Sequence, residues 1–128
     1  MSGAGFLAVG AGAAVGAWMR WWLGIALNPL FPTLPLGTLA ANLIGGYLMG
    51  VAMALMEHFQ SLSPELRLLV TTGFLGGLTT FSTFSGEATT LLAHQQYGWL
   101  ATLATAHVAG SILMTVIGIA TARLALGA

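Results

Sequence analysis

The stretch GFLGGLTTFSTFSGE, Gly73–Glu87, sets two adjacent glycines, five hydroxyl side chains and two phenylalanines three apart inside an otherwise membrane-like chain. A helix facing lipid favours leucine and valine at such positions. A backbone that loosens within a bilayer must be shielded by protein or line a polar cavity, because lipid offers it no hydrogen bonds. The stretch therefore reads as a transmembrane helix broken at Gly76-Gly77, with a path for a small ion beside the break.

The rest of the chain sets the context. Of 128 residues, 57% are hydrophobic and 5% charged, where a soluble domain carries about 25% charged residues. The mean hydropathy is +0.91. The charged side chains are Arg20, Glu57, Glu65, Arg67, Glu87 and Arg123. They form no basic patch, which excludes a nucleic-acid partner. With no cysteine, disulfides and thiolate metal sites are excluded too. The first apolar segment lacks a basic leader and reads as a retained helix rather than a cleaved signal.

About 20 mainly apolar residues cross a bilayer core as a helix, and four segments of that kind are expected. The first covers residues 5–27, ended by Asn28-Pro29 and Phe31-Pro32. The second covers 36–56, after Pro35. The third starts at Ser63-Pro64-Glu65, which supplies a serine cap, a proline in the first turn and an acid at the positive end of the dipole. It runs to about His94 across the glycine break. The fourth covers 98–124. The expected fold is an all-α membrane protein, one transmembrane domain over residues 1–128, with both termini on one side of the membrane. Arg67 and Arg123 fall on that side and Arg20 on the other. So small a bias permits insertion both ways, and hence an antiparallel homodimer, but three charges are also too few to set any orientation. Trp18, Trp21, Trp22, Tyr97 and Trp99 read as an interfacial belt.

Gly12-x-x-x-Gly16 and Gly46-x-x-x-Gly50 are close-packing signals. Four short helices enclose little volume, so a site formed between protomers is expected. Polar residues recur at helical spacing. Thr38 and Asn42 lie four apart on the second helix, and Asn42 is either a pore donor or a helix-to-helix glue residue. His107, Ser111 and Thr115 form a stripe on the fourth, although a lone hydroxyl often satisfies itself on the carbonyl four residues back; His107 reads as a buried neutral hydrogen-bond partner, a pore-lining donor or a proton carrier. On the third, Thr79, Ser82 and Thr83 share one face, with Phe81, Phe84 and Ser85 on another. An aromatic ring edge is weakly positive and can touch an anion without holding it. Hydroxyls, an amide and ring edges, with no lysine, suit an anion path that must bind weakly enough to release. Glu87 is either a vestibule acid or a partner for Arg20. Carbonyls freed at Gly76-Gly77-Leu78-Thr79 offer a monovalent cation site if two protomers meet there, unless the break is a simple packing kink.

GFLGGLTTFSTFS, with GTLAANLIGGYLMG before it and GSILMT after it, resembles the bacterial fluoride channel family called Fluc or CrcB over nearly the whole chain. The resemblance implies an antiparallel, dual-topology homodimer in the inner membrane, with two fluoride pores and a structural sodium ion between the protomers. It implies pore roles for Phe81, Phe84 and Asn42, and sodium ligation by the carbonyls of Gly76 and Thr79. Ser82, Thr83, Ser85 and Glu87 match polar residues beside the phenylalanines, Ser111 and Thr115 match fourth-helix hydroxyls, and Arg20 matches an arginine at the pore mouth. His107 departs from the pattern, which has asparagine or serine there; some members carry tyrosine where this chain has Leu103. Two rival readings fare worse. A small multidrug transporter needs an acid in its first helix for proton coupling, and this one has none. An intramembrane serine protease built on Ser85 and His107 has too few helices to enclose a hydrated site.

Overall fold

Alanine, leucine and glycine dominate every long segment between the prolines, and such segments fold as helices because no backbone group then faces lipid unpaired. The computed structural model describes residues 1–127, and no strand occurs among them. Helix α1 spans Gly3–Leu27, capped by Ser2, whose hydroxyl accepts from the Gly5 amide at 2.9 Å. The chain then turns through a 3-10 segment, Asn28–Leu30. Asn28 Oδ1 accepts from the amides of Gly37 at 2.7 Å and Thr38 at 3.2 Å, satisfying the start of α2, Leu36–His58. Arg67 closes the other end of α2, donating to the carbonyls of Met56, Phe59 and Gln60.

The third segment differs from the expected helix in two ways. It begins as anticipated: Ser63 caps α3 (Pro64–Leu68), accepting from the Leu66 amide at 3.1 Å. It then widens into a π-helix, Leu69–Leu75, before the short turn α4, Gly76–Leu78. The break falls after the glycines. Gly76 and Gly77 stay helical, whereas Thr79 (φ −88°, ψ 157°) and Thr80 (φ −151°, ψ 120°) are extended. Gly77 serves contact instead: a Cβ there would strike the Ala13 backbone of α1. What holds the extended residues is Asn42, which pairs with both backbone groups of Thr80 as a neighbouring strand would. Thr80 Oγ1 then accepts from the Thr83 amide and starts α5, Phe81–Ala93. Helix α6 spans Tyr97–Leu126.

Helices α2 and α6 are each long and apolar enough to cross a membrane. Helix α1 matches them in length at 25 residues and carries a single charged side chain, Arg20. The third segment reaches span length only as the sum of its pieces. Both glycine pairs act at backbone contacts. A Cβ on Gly12 or Gly16 would meet the backbone of Leu69, Phe74 or Leu78, and one on Gly46 or Gly50 would meet that of Ser111, Thr115 or Ile119. One core cluster, Leu23, Ala41, Ala52, Leu75 and Leu78, joins α1, α2 and the third segment. A second, Leu34, Leu91 and Leu103, seats α5 on α6.

Candidate ion pathway

The extended Thr79-Thr80 pair separates two pockets, and Thr80 lines both. The larger, about 480 Å³, is an open groove whose wall includes Asn42, Gly76, Thr79, Phe81, Phe84, His107, Ser111 and Thr115. The smaller, about 300 Å³, takes Arg20, Thr38 and Thr83, with Asn28 and Trp21. The sequence singled out most of these residues and missed Thr80. Its signal was the spacing Thr80-x-x-Thr83 directly after a glycine break, a helix-start pattern.

Asn42 organises the groove. Its Oδ1 accepts from the Thr80 amide at 2.8 Å, and its Nδ2 donates to the Thr80 carbonyl at 3.0 Å and lies 3.0 Å from His107 Nδ1. Asn42 thus ties α2 to the third segment and α6, the helix-to-helix role weighed from sequence, and it also borders the groove. The His107 ring lies against that of Phe84, with centroids 4.7 Å apart. Phe84 in turn meets Phe81 edge-on at 5.4 Å. Phe81 is 74% exposed, an unusual position for a ring flanked by hydroxyls. Thr115 Oγ1 lies 2.9 Å from the Gly46 carbonyl and 3.0 Å from that of Ser111, so its one hydrogen is shared between α2 and its own helix.

On the other side of the break, Arg20 Nε donates to the Gly77 carbonyl at 3.0 Å, filling a position that the helix end leaves open. Thr38 Oγ1 donates to Glu87 Oε2 at 2.6 Å, while Glu87 Oε1 is buried without a partner among the described residues. The pairing of Glu87 with Arg20 weighed from sequence does not form. Ser82 and Ser85 stand on the exposed face of α5, outside both pockets. That face also carries Thr83, Thr89 and Thr90, a band of hydroxyls that lipid would not solvate.

The turn at Thr79 frees carbonyls. The Thr80 amide, which would close the helical bond to Gly76, is directed to Asn42 instead, and Thr79 is extended. Gly76 and Thr79 both border the groove. Their oxygens are hard, neutral ligands of the type a monovalent cation accepts.

Residues 7–119 match the model of the family described as CrcB-like protein, Camphor Resistance. The chain belongs to this family. A relative from Nitrosospira multiformis is 61% identical over 116 residues, covering 91% of each chain. One from Aromatoleum aromaticum is 63% identical over 115 residues, 90% of this chain and 88% of its own. One from Nitrosomonas europaea is 56% identical over 115 residues, 90% and 91%. All three are named fluoride-specific ion channel FluC. The resemblance carried by the third-segment motif is thus borne out. The CrcB family is one of ion channels and not of enzymes, which removes the protease reading; Ser85 in any case lies outside the groove that His107 lines.

Proposed function

We propose that this chain is a fluoride-selective passive channel of the inner membrane, spanning it four times, that lets cytoplasmic fluoride leave down its electrochemical gradient. The observation that carries the reading is the composition of one groove. The rings of Phe81 and Phe84, the Asn42 amide, His107 and the hydroxyls of Ser111 and Thr115 share it, in a chain 61% identical to a named fluoride channel. An uncompensated charge in low dielectric costs tens of kcal/mol, and neutral donors with ring edges lower that cost without trapping the ion. A membrane negative inside drives the anion outward with about 2.3 kcal/mol per 100 mV.

The functional unit in this reading is an antiparallel, dual-topology homodimer with two pores. The exposed hydroxyl band of α5, with Phe81 at its start, supports a second copy as its cover. A structural sodium ion belongs to the same reading. Gly76 and Thr79 supply two carbonyls per protomer, too few to replace a cation's water shell, and a facing copy doubles them. Bound there, sodium would neutralise the converging carbonyl dipoles and tie the two breaks together. Arg20, Thr38 and Thr83 border the path at the second pocket, with Glu87 held behind Thr38, while Ser82 and Ser85 lie on the exposed face of α5 that the second copy would cover.

The test is efflux from fluoride-loaded liposomes, triggered by valinomycin and followed with a fluoride electrode. Reconstituted protein is expected to empty the vesicles of fluoride and leave chloride behind. Efflux no faster than from protein-free vesicles rejects the channel, and equal chloride efflux rejects its selectivity. A second prediction concerns sodium. Purification with N-methylglucamine in place of all sodium is expected to lower efflux or shift the dimer toward monomer on size exclusion. Indifference on both counts removes the sodium site.

A further inference from the structure

Glu87 is a carboxyl within α5, and one side chain, Thr38, is its only hydrogen-bond partner among the described residues. Thr38 Oγ1 and Glu87 Oε2 are 2.6 Å apart. That spacing fits a hydroxyl donating to a carboxylate, and equally a carboxylic acid donating to a hydroxyl. The second oxygen, Oε1, is enclosed and unpartnered among the described residues. The charged and titratable groups of the neighbouring segments are engaged elsewhere. Arg20 of α1 donates to the Gly77 carbonyl, His107 of α6 lies against Asn42, His94 ends α5 on the Thr90 carbonyl, and Arg123 pairs with Glu57. A half-satisfied ionised carboxylate is costly in low dielectric, and a neutral carboxyl far less so. Thr38 is buried, yet it borders the smaller pocket with Arg20 and Thr83, whereas Glu87 does not. The hydroxyl therefore stands between the acid and the ion path.

We propose that Thr38 and Glu87 form a proton-linked switch: an anion entering the smaller pocket draws a proton onto Glu87 through the Thr38 hydroxyl, which turns that hydroxyl into a donor to the anion. The switch rests on the fluoride-channel reading. A hydroxyl has one hydrogen. While Glu87 is ionised, that hydrogen is held by Oε2, and Thr38 offers the pocket only lone pairs, which repel an anion. With a proton on Oε2, the acid donates to Thr38 Oγ1 instead, and the hydroxyl hydrogen is free to face the pocket. The exchange needs no heavy atom to move, since 2.6 Å suits both arrangements. The protons balance as a relay. Solvent supplies one proton to Thr38 Oγ1 as the hydroxyl's own hydrogen crosses to Glu87 Oε2. The reverse transfer returns it as the anion moves on, so no net proton is transported. Protonation also removes the repulsion between an ionised Glu87 and the incoming anion, an effect of the same sign. Fluoride and the proton then each bind more tightly in the presence of the other, by the same factor.

The first readout is infrared. In reconstituted protein at fixed pH, exchange of gluconate for fluoride is expected to raise the carbonyl stretch of a protonated carboxylic acid and to lower a carboxylate stretch. The change is expected in wild type and in Thr38→Ser, and not in Glu87→Gln or Thr38→Val. Serine keeps the relay hydroxyl and valine keeps only the shape, which separates the switch from packing at this position. The second readout is fluoride efflux above that of protein-free vesicles. As pH rises from about 5 to about 9, Glu87 ionises, Thr38 ceases to donate, and wild-type efflux falls about tenfold, the effect of losing one hydrogen bond to a charged group. Glu87→Gln, whose amide donates to Thr38 at every pH, is expected to flatten that profile. A wild-type spectrum indifferent to fluoride, a fluoride-dependent acid band that survives Glu87→Gln or Thr38→Val, or a wild-type profile as flat as that of Glu87→Gln overturns the proposal. Wild-type protein that conducts no fluoride at any pH fails the functional reading instead, and the infrared response to fluoride then decides the switch by itself.

Discussion

Asn42→Asp is expected to reduce fluoride efflux by at least about a hundredfold while the protein keeps its fold and its wild-type size-exclusion profile. Aspartate keeps the oxygen that accepts from the Thr80 amide, so the extended break and the start of α5 survive. It lacks the amide hydrogens that now serve the Thr80 carbonyl and His107 Nδ1. Ionised, it sets a negative charge in the wall of an anion path. Two like charges about 4 Å apart repel by about 4 kcal/mol at an effective dielectric near 20, and each 1.36 kcal/mol is a factor of about ten in rate. Protonated, it supplies one hydrogen where two acceptors need one each, which leaves either the Thr80 carbonyl or His107 unserved. Both states impair conduction. The measurement is initial efflux rate per amount of reconstituted protein, beside a size-exclusion profile. An Asn42→Asp protein that empties liposomes at the wild-type rate would show that the groove bordered by Asn42 is not the path.

How much of this was legible beforehand follows from the range of each interaction. Asn28-Pro29 and Ser63-Pro64-Glu65 act within one turn, and the corresponding helix ends fall where the sequence places them. The glycine pairs marked close contacts, because a missing Cβ is visible in one residue alone, although the sequence could not say which backbone each would meet. The gathering of Asn42, His107, Ser111 and Thr115 was legible from spacing, since polar side chains in lipid must share a face. The position of the break was not. Gly76-Gly77 looks like the weak point, yet the helix opens at Thr79-Thr80, because Asn42 draws both backbone groups of Thr80 out of the ladder from 38 residues away. The π-helix at Leu69–Leu75 has no local signal either; it lies where α1 presses glycines against the third segment. Arg20 was expected at a mouth, but nothing local in the sequence foretold that its guanidinium would hold the Gly77 carbonyl. Each of these features depends on partners distant in sequence.

Gly50→Ala, the addition of one methyl group on the α2–α6 seam, is expected to destabilise the protein by about 1–3 kcal/mol. A Cβ at Gly50 would run into the carbonyl of Thr115 and the amide of Ile119. These are backbone atoms of a continuous helix, so no side chain can swing aside and the helices must separate. Gly118 faces the Tyr47 carbonyl across the same seam, and widening it at Gly50 loosens that contact too. The seam also holds two hydrogen bonds that tolerate little separation, Thr115 Oγ1 to the Gly46 carbonyl at 2.9 Å and Tyr47 Oη with Thr121 Oγ1 at 2.9 Å. Because Ser111 and Thr115 border the groove on the same stretch of α6, a displaced seam reaches the ion path, and efflux falls along with stability. Gly10→Ala supplies the contrast. No atom lies within 4 Å of its added methyl, and alanine in a helix is favoured over glycine by about 0.5–1 kcal/mol. Thermal unfolding in detergent, followed by loss of the monodisperse peak, separates the two: a midpoint lower by several degrees for Gly50→Ala, unchanged or higher for Gly10→Ala. Equal midpoints for the two variants would mean that α2 and α6 do not owe their contact to the missing side chain, and that the seam has slack enough for Thr115 to move without cost.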